Sequence, residues 1–277
     1  VSFDVSDEDL RALKPDALSP AETALKAETL GKTKAAMPLG KCFVSAMLAG
    51  AFIALGGLYF CVFLGDPAMS FDVQRMVGGV CFCLGLLLVL CCGAELFTGN
   101  TLLICAKASR KISWSGTLKN WTTVWIGNLA GALVIVGMVY MAQVFQMNGG
   151  AVGEAMVSIA SGKVSPDWIT LFFKGILCNV LVCLAVWIGF SARTVADKVL
   201  GVLLPVSAFI ACGFEHCVAN MFLLPLGFVL NGMGFGAADA VTLGGMLTNL
   251  SAATLGNIAG GVLVGLAYWF IYRKKES

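Results

Sequence analysis

Six long apolar runs follow a polar N-terminal stretch of the chain. A helix needs roughly 20 apolar residues to cross the hydrocarbon core of a bilayer, and each run approaches or exceeds that length. The pattern therefore predicts an all-α membrane protein with six spanning helices, of which the second and fifth are unusually long. The runs cover residues 41–65, 76–106, 120–146, 168–190, 199–230 and 250–272.

The second and fifth runs each contain a polar string with Gly, Glu and Asn at the same spacing. Residues 93–100 read G-A-E-L-F-T-G-N, and residues 213–220 read G-F-E-H-C-V-A-N, which includes His216, the single histidine of the chain. Ionisable residues within a membrane span are costly and usually face a pathway or the bundle interior. Two helices interrupted at corresponding points of two halves are typical of transporters. The strings predict that helices two and five are broken and border a transport route.

A second repeated string indicates that the chain consists of two related halves. Residues 127–131 read G-N-L-A-G and residues 256–260 read G-N-I-A-G, 129 residues apart, whereas the first pair of strings is 120 residues apart. The halves cover about 41–147 and 168–273. Since each has three spans, the second must enter the membrane from the opposite side, which predicts an inverted 3+3 repeat. The G-x-x-x-G spacing favours close helix packing, while Asn128 and Asn257 either brace the broken helices or line the route.

Composition and charge define the remaining parts of the chain. Only 12% of the residues are charged, about half the share in soluble domains. The predicted parts are an N-terminal segment 1–40, a channel domain 41–273 and a tail 274–277. Residues 19–22 form a capping box that starts a helix, either lying on the membrane or solvated. Lys and Arg concentrate in the segments that would share one side, so both termini are predicted to be cytoplasmic.

The sequence argues against catalysis and against a metal or cofactor. There is no H-E-x-x-H string and only one histidine. Eleven cysteines lie mainly in the spans, where Cys behaves as a small hydrophobic residue, and none form a C-x-x-C pair. We considered a metal shared by Cys212, His216 and Cys217 and do not expect one, since no further histidine is present. A pore for neutral solutes, of the aquaglyceroporin kind, is an alternative function with a similar architecture, although the chain has no Asn-Pro-Ala string.

Four segments resemble the formate/nitrite transporter family. Residues 94–100 are similar to the family's signature after the second span, and residues 213–222 to its fifth-span signature. Residues 106–114 and 178–187 match family patterns as well. The resemblance extends from the first span to the tail. It implies an aquaporin-like fold with helices two and five broken, a homopentamer in the bacterial inner membrane, and one pore in each protomer.

The resemblance also implies a substrate class and site residues. Small monovalent anions would pass, namely formate or nitrite, with hydrosulfide, lactate or acetate as alternatives within the family. The residues carried over are the polar centre Thr98 and His216, the hydrophobic constrictions Phe82, Leu86, Leu96 and Phe209, and the supporting or vestibule residues Asn179, Asn257 and Lys163.

Physical chemistry suggests how such residues act. A bare anion pays a large desolvation cost in an apolar constriction, and His216 can offset it by donating a hydrogen bond or by passing a proton, with Thr98 as a second donor. Lys163 and Lys174 would attract anions to the outer mouth, unless Lys174 snorkels instead. The remaining polar residues of the strings are expected to support the helix breaks, with the carboxylates accepting backbone N–H bonds: Glu95, Asn100, Glu215 and Asn220.

Overall fold

A computed structural model describes residues 16–273 of the chain, and every regular element within them is helical. The start of the predicted N-terminal segment and the predicted tail 274–277 lie outside the described residues. The first helix, α1, covers Pro20–Ala35, and the predicted capping box is confirmed. The Glu22 backbone N–H donates to Ser19 Oγ over 3.4 Å, and the Ser19 N–H donates to Glu22 Oε2 over 2.9 Å.

Residues 39–141 form two long helices with shorter helical segments between them. Helix α2 covers Leu39–Leu64, and α3 covers Phe71–Leu88 and runs on as a π-helix over Val89–Gly93. The short helices α4 and α5 follow at Phe97–Asn100 and Leu103–Ala108, and α6 completes the half at Trp114–Met141.

The second half has a similar order, with one helix, α10, where the first half has α4 and α5. After 3₁₀ turns at Val144–Gly150, the helices are α7 (Ala151–Val164), α8 (Trp168–Ser191), α9 (Val195–Ala211), α10 (Cys217–Gly232) and α11 (Leu243–Tyr272). Among residues 16–273, five helical segments are long and apolar enough to cross a membrane: α2, α3 with its π-helix, α6, α8 and α11. Helix α10 is apolar but shorter, with 16 residues.

Helix contacts follow the same repeat. Helix α2 packs against α3 and α6, α8 packs against α9 and α11, and α3 and α9 join the halves. The tightest approaches are at glycines: a Cβ on Gly131 would collide with the Met47 carbonyl oxygen, and one on Gly260 with the Ile176 carbonyl oxygen. This confirms that the G-x-x-x-G strings allow helix backbones to approach closely.

Both polar strings begin where a helix stops. Gly93 and Gly213, 120 residues apart, have φ angles of 80° and 67°, a region that glycine enters without steric cost. At each stop the next N–H reaches back five residues, from Ala94 to Val89 O over 3.1 Å and from Phe214 to Phe209 O over 3.0 Å. The chain then runs without helix until α4 begins at Phe97 and α10 at Cys217.

Candidate functional site

Asn128 of α6 ties the first non-helical stretch to α2 through its side-chain amide. Its Oδ1 accepts from the Phe97 N–H over 2.9 Å, while its Nδ2 donates to Ala46 O over 2.7 Å and to Glu95 O over 2.9 Å. The side chain is fully buried. Its bonds to the Phe97 N–H and to Glu95 O therefore satisfy backbone groups of the non-helical stretch.

Asn257 of α11 makes the equivalent bonds at the second stretch. Its Oδ1 accepts from the Cys217 N–H over 2.9 Å, and its Nδ2 donates to Gly175 O and to Glu215 O, each over 2.8 Å. Both N–H groups of the amide are thus occupied by backbone carbonyls. Of the two roles considered for these asparagines, the bonds of this side chain match bracing.

A cluster of polar side chains joins α1 to the first stretch. The Lys34 ammonium donates to Glu95 Oε1 and to Asn100 Oδ1, each over 2.8 Å. Asn100 Nδ2 donates to Glu95 Oε2 over 2.7 Å and to Asn120 Oδ1 over 3.0 Å. We call Lys34, Glu95, Asn100 and Asn120 the α1 cluster. Because Glu95 is only 5% exposed, its charge depends on these partners.

The equivalent α7 cluster consists of Lys163, Glu215, Asn220 and Asn249. Glu215 Oε2 accepts from the Lys163 ammonium over 3.1 Å, from Asn220 Nδ2 over 2.6 Å and from Asn249 Nδ2 over 3.1 Å. Asn220 Nδ2 also donates to Asn249 Oδ1 over 2.6 Å. The expectation that Glu95 and Glu215 accept backbone N–H bonds is wrong for the described residues. Their partners are side chains, and the asparagine oxygens take the backbone bonds.

Sequence reasoning did not select Lys34, Asn120 or Asn249 for this site. A signal was present, since Lys34 and Lys163 are 129 residues apart, as are Asn120 and Asn249. That is the offset between the two G-N-x-A-G strings. Extending the repeat to all polar residues in or near the spans would have found these three.

Thr98 and His216 meet at the centre, one from each half. Thr98 Oγ1 lies 3.1 Å from His216 Nε2, and the exposed fractions of the two residues are 0% and 3%. His216 also caps α10, because its Nδ1 accepts the Ala219 N–H over 3.0 Å. A ring nitrogen that accepts has no hydrogen of its own, so the neutral imidazole holds its hydrogen on Nε2, facing Thr98.

Aromatic rings enclose this polar pair. The Phe209 ring stacks on the His216 ring with centroids 5.8 Å apart, and the Phe82 ring meets Phe209 edge-on at 5.8 Å. The other two constriction residues, Leu86 and Leu96, are buried as well. Helices α3 and α9, which join the halves, carry both rings.

Asn179 links the backbone of Thr98 to that of Asn257. Its Nδ2 donates to Thr98 O over 3.3 Å, to Thr101 Oγ1 over 3.1 Å and to Asn257 O over 2.5 Å. Its Oδ1 is buried and has no hydrogen-bond partner among the described residues. Asn179 therefore fixes the backbone beside Thr98.

The two lysines selected for the outer mouth have different environments. Lys163 is 17% exposed at its side chain and pairs with Glu215, which compensates its charge. Lys174 is half-buried, and its carbonyl oxygen accepts the Glu215 N–H over 3.3 Å. Within residues 16–273 the Lys174 ammonium has no ion pair. Of the two, only Lys174 offers an uncompensated charge.

A cavity of about 650 Å³ opens between α1, the first non-helical stretch and the turn after α8. Four basic residues and one acidic residue line it: Lys26, Lys34, Arg193, Lys198 and Glu95. The Lys26 ammonium donates to Phe190 O over 2.6 Å. Burial, followed by the charges of Lys198 and Arg193, lowers the pKa of Lys26. The cavity therefore carries net positive charge and reaches Leu96.

Residues 21–270 match the formate/nitrite transporter family. The chain belongs to this family. Its relatives include the formate channel FocA of Escherichia coli K12, 40% identical over 95% of this chain and 97% of the relative. The nitrite transporter NirC of Salmonella typhimurium LT2 is 37% identical over 91% of each chain.

Solved structures of formate/nitrite transporter proteins have the same fold. A pentameric formate channel with formate bound has a TM-score of 0.79 and 39% identity, covering 85% of this chain and 98% of its own. An ion channel of the family has a TM-score of 0.77 and 34% identity, covering 91% and 98%.

Proposed function

We propose that this family member is a channel for small weak-acid monovalent anions, with formate or nitrite as preferred substrates. The observation that carries the proposal is the contact between Thr98 and His216, two hydrogen-bonding side chains in an apolar enclosure. The cavity beside Leu96 supplies positive charge next to a hydrophobic constriction. Its relatives include a formate channel and a nitrite transporter.

The proposed architecture treats α9 and α10 as one interrupted span, and α3 to α5 as another. With α2, α6, α8 and α11 this gives six spans in two inverted halves. Polar clusters brace both interruptions, and the central pair lies between them. By analogy with the pentameric formate channel, we propose a homopentamer in which every protomer has its own pathway.

The face that carries α1 is proposed to be cytoplasmic. The Lys26 ammonium on α1 binds Phe190 O at the end of α8, and Glu28 binds Lys111 in the turn after α5. These contacts bring the basic turns to the same side as α1. Basic residues are enriched on the cytoplasmic side of membrane proteins, and the bacterial relatives suggest an inner membrane.

Anion passage in this proposal depends on hydrogen bonding at the centre. The Thr98 hydroxyl accepts the His216 Nε2–H and keeps its own hydrogen to donate to an anion. A carboxylate or nitrite that displaces Thr98 would instead accept the Nε2–H. These charge-assisted bonds replace part of the hydration lost between Phe82, Phe209, Leu86 and Leu96.

Direct proton transfer from His216 is less favourable in this geometry. A neutral imidazole that gives up Nε2–H becomes an anion unless Nδ1 gains a proton, and Nδ1 is occupied by the Ala219 N–H. Protonation-assisted passage then requires a proton that arrives with the substrate, or a His216 that has released its cap. Formate, nitrite and hydrosulfide become neutral with one proton, whereas chloride remains an anion at all working pH values.

Liposome flux with wild type and His216→Asn tests the proposal. Wild type should pass formate and nitrite faster at acidic than at neutral pH and should exclude chloride. His216→Asn should discriminate less between formate and chloride, and its formate flux should depend less on pH. Equal chloride and formate flux in wild type would refute a weak-acid channel. A rate for hydrosulfide above those of both other anions would assign the alternative substrate.

A further inference from the structure

A second groove lies on the α1 face, away from the central pair. It has a volume of about 880 Å³ and lies between α1, the turn after α5 and the last turn of α11. Residues from all three segments line it, among them Glu28, Ser109, Arg110, Lys111, Trp269 and Arg273.

Hydrogen bonds fix the floor of this groove. Glu28 accepts from Ser109 Oγ over 2.7 Å and from the Lys111 ammonium over 2.5 Å. Trp269 Nε1 donates to Ser109 Oγ over 2.9 Å. These bonds join the three segments and neutralise Glu28, so the side chains at the floor of the groove are held in place.

Two arginines at the rim remain without a carboxylate partner among residues 16–273. Arg110 and Arg273 are both exposed, and neither takes part in an ion pair of that region. The Arg273 guanidinium lies 5.0 Å from the centroids of both the Trp269 and the Phe270 rings. Stacking holds the charge in place and leaves its N–H groups free for an acceptor.

Arg110 occupies a backbone position that normally belongs to glycine. Its φ is 56°, and it follows the end of α5 with the bonds of a Schellman motif. The Lys111 N–H reaches Ala106 O over 2.9 Å, and the Arg110 N–H reaches Lys107 O over 3.0 Å. An arginine is sterically strained at this positive φ, because its Cβ lies too close to the backbone. The backbone motif does not require this side chain, which points to a role for the guanidinium itself.

The groove lies at the end of the apolar surface of α11. Phe270 and Ile271 are 65% and 63% exposed, next to Arg273. Trp114, at the start of α6, is also exposed, and the Lys107 ammonium lies 5.2 Å from its ring centroid. Aromatic rings together with cations at a helix end are typical of the membrane–water interface. A ligand bound here would have apolar and anionic parts side by side.

We propose that this groove binds the headgroup of an anionic phospholipid from the leaflet on the α1 face. The phosphate would take N–H donors from Arg110 and Arg273, and the acyl chains would follow Phe270 and Ile271 along α11. Basic pockets at the ends of spanning helices suit such headgroups. The bound lipid would connect α1, through Glu28, to the end of α11.

Native mass spectrometry of the full-length protein titrated with phosphatidylglycerol or phosphatidylcholine tests this site. Wild type should prefer phosphatidylglycerol. Arg110→Gly keeps the Schellman motif and relieves its strain. We expect this variant to lower the preference for phosphatidylglycerol about fivefold. Arg110→Gly combined with Arg273→Gln should lower it about 25-fold. Lys119→Gln, an exposed cation on α6 that does not line the groove, should leave it unchanged.

Two outcomes would overturn the assignment. One is an unchanged preference for phosphatidylglycerol in the double variant. The other is an equal loss in Lys119→Gln, which would mean that the surface attracts lipid through net charge alone. Wild-type binding of inorganic phosphate as tight as that of phosphatidylglycerol would also contradict a lipid site, because the acyl contacts would then contribute nothing.

Discussion

Thr98 and His216 lie 118 positions apart in sequence and 3.1 Å apart in space, each at the first turn of a helix that restarts after an interruption. The repeat relates Thr98 to Val218 and His216 to Leu96, through the 120-residue offset. At each of these two positions one half therefore has a polar residue where the other has an apolar one. A nearly symmetric scaffold thereby gives an asymmetric polar pair.

The Thr98 hydroxyl should be needed for transport of formate and nitrite. Thr98→Val keeps the shape but removes the group that accepts from His216 and donates to the anion. Hydrogen bonds to charged groups contribute about 1.5–3 kcal/mol, so flux should fall roughly ten- to hundredfold in liposomes. Thr98→Ser should retain most of the flux. Equal formate flux through Thr98→Val and wild type would show that the Thr98 hydroxyl is not needed for transport.

Asn128 and Asn257 should contribute similarly to stability, because each makes the same three backbone bonds. Replacing either with Leu leaves buried backbone groups without partners, at a cost of about 1–3 kcal/mol for each group. We expect a marked and similar loss of thermal stability in detergent for Asn128→Leu and Asn257→Leu. A large loss in one variant with none in the other would contradict equivalent bracing.

Phe82 should limit the size of the transported anion. The Phe82→Ala variant removes the ring that meets Phe209 edge-on, while the Phe209 contact with His216 remains. Acetate and lactate flux should rise relative to formate flux. Phe222→Ala is a matched truncation, since Phe222 is equally buried but packs near Gly57. Phe222→Ala should cost stability without changing selectivity, and the same change of selectivity in both variants would exclude a specific constriction at Phe82.

Lys163 should stabilise the fold chiefly by compensating Glu215. Removing one partner of a buried ion pair typically costs about 3–5 kcal/mol. Lys163→Met should therefore be strongly destabilising in thermal unfolding, and Lys163→Met combined with Glu215→Gln should recover much of the loss. If the double variant is no more stable than Lys163→Met, the cost does not come from an uncompensated carboxylate.

The two clusters differ in the contact between the lysine and the asparagine of the string, which gives a further control. Lys34 also donates to Asn100 Oδ1, whereas Asn220 Oδ1 has no partner among the described residues. Double-mutant cycles should accordingly find a larger coupling energy between Lys34 and Asn100 than between Lys163 and Asn220. Equal coupling energies would show that the clusters are equivalent in solution.

The repeat was readable from the sequence because it depends on residue types that are unusual in apolar helices. Gly93 and Gly213 indicated where the helices stop, since a glycine two residues before a glutamate is unusual within an apolar helix. Asn128 and Asn257 recurred in short strings that differ at one position. Periodicity alone did not separate bracing from pathway roles, because an asparagine on a helix face looks the same in either role.

Local sequence thus determined the helices, their interruptions and the glycine contacts, because backbone conformation and close packing depend on neighbouring residue types. The bond partners were decided only by the tertiary structure. Lys34 lies on a polar surface helix, and its contact with Glu95 arises from how α1 packs on the bundle. The carboxylates have side-chain partners, while Asn128 and Asn257 accept the Phe97 and Cys217 N–H groups. Contacts between residues a hundred positions apart depend on the relative placement of the two halves, which no local pattern encodes.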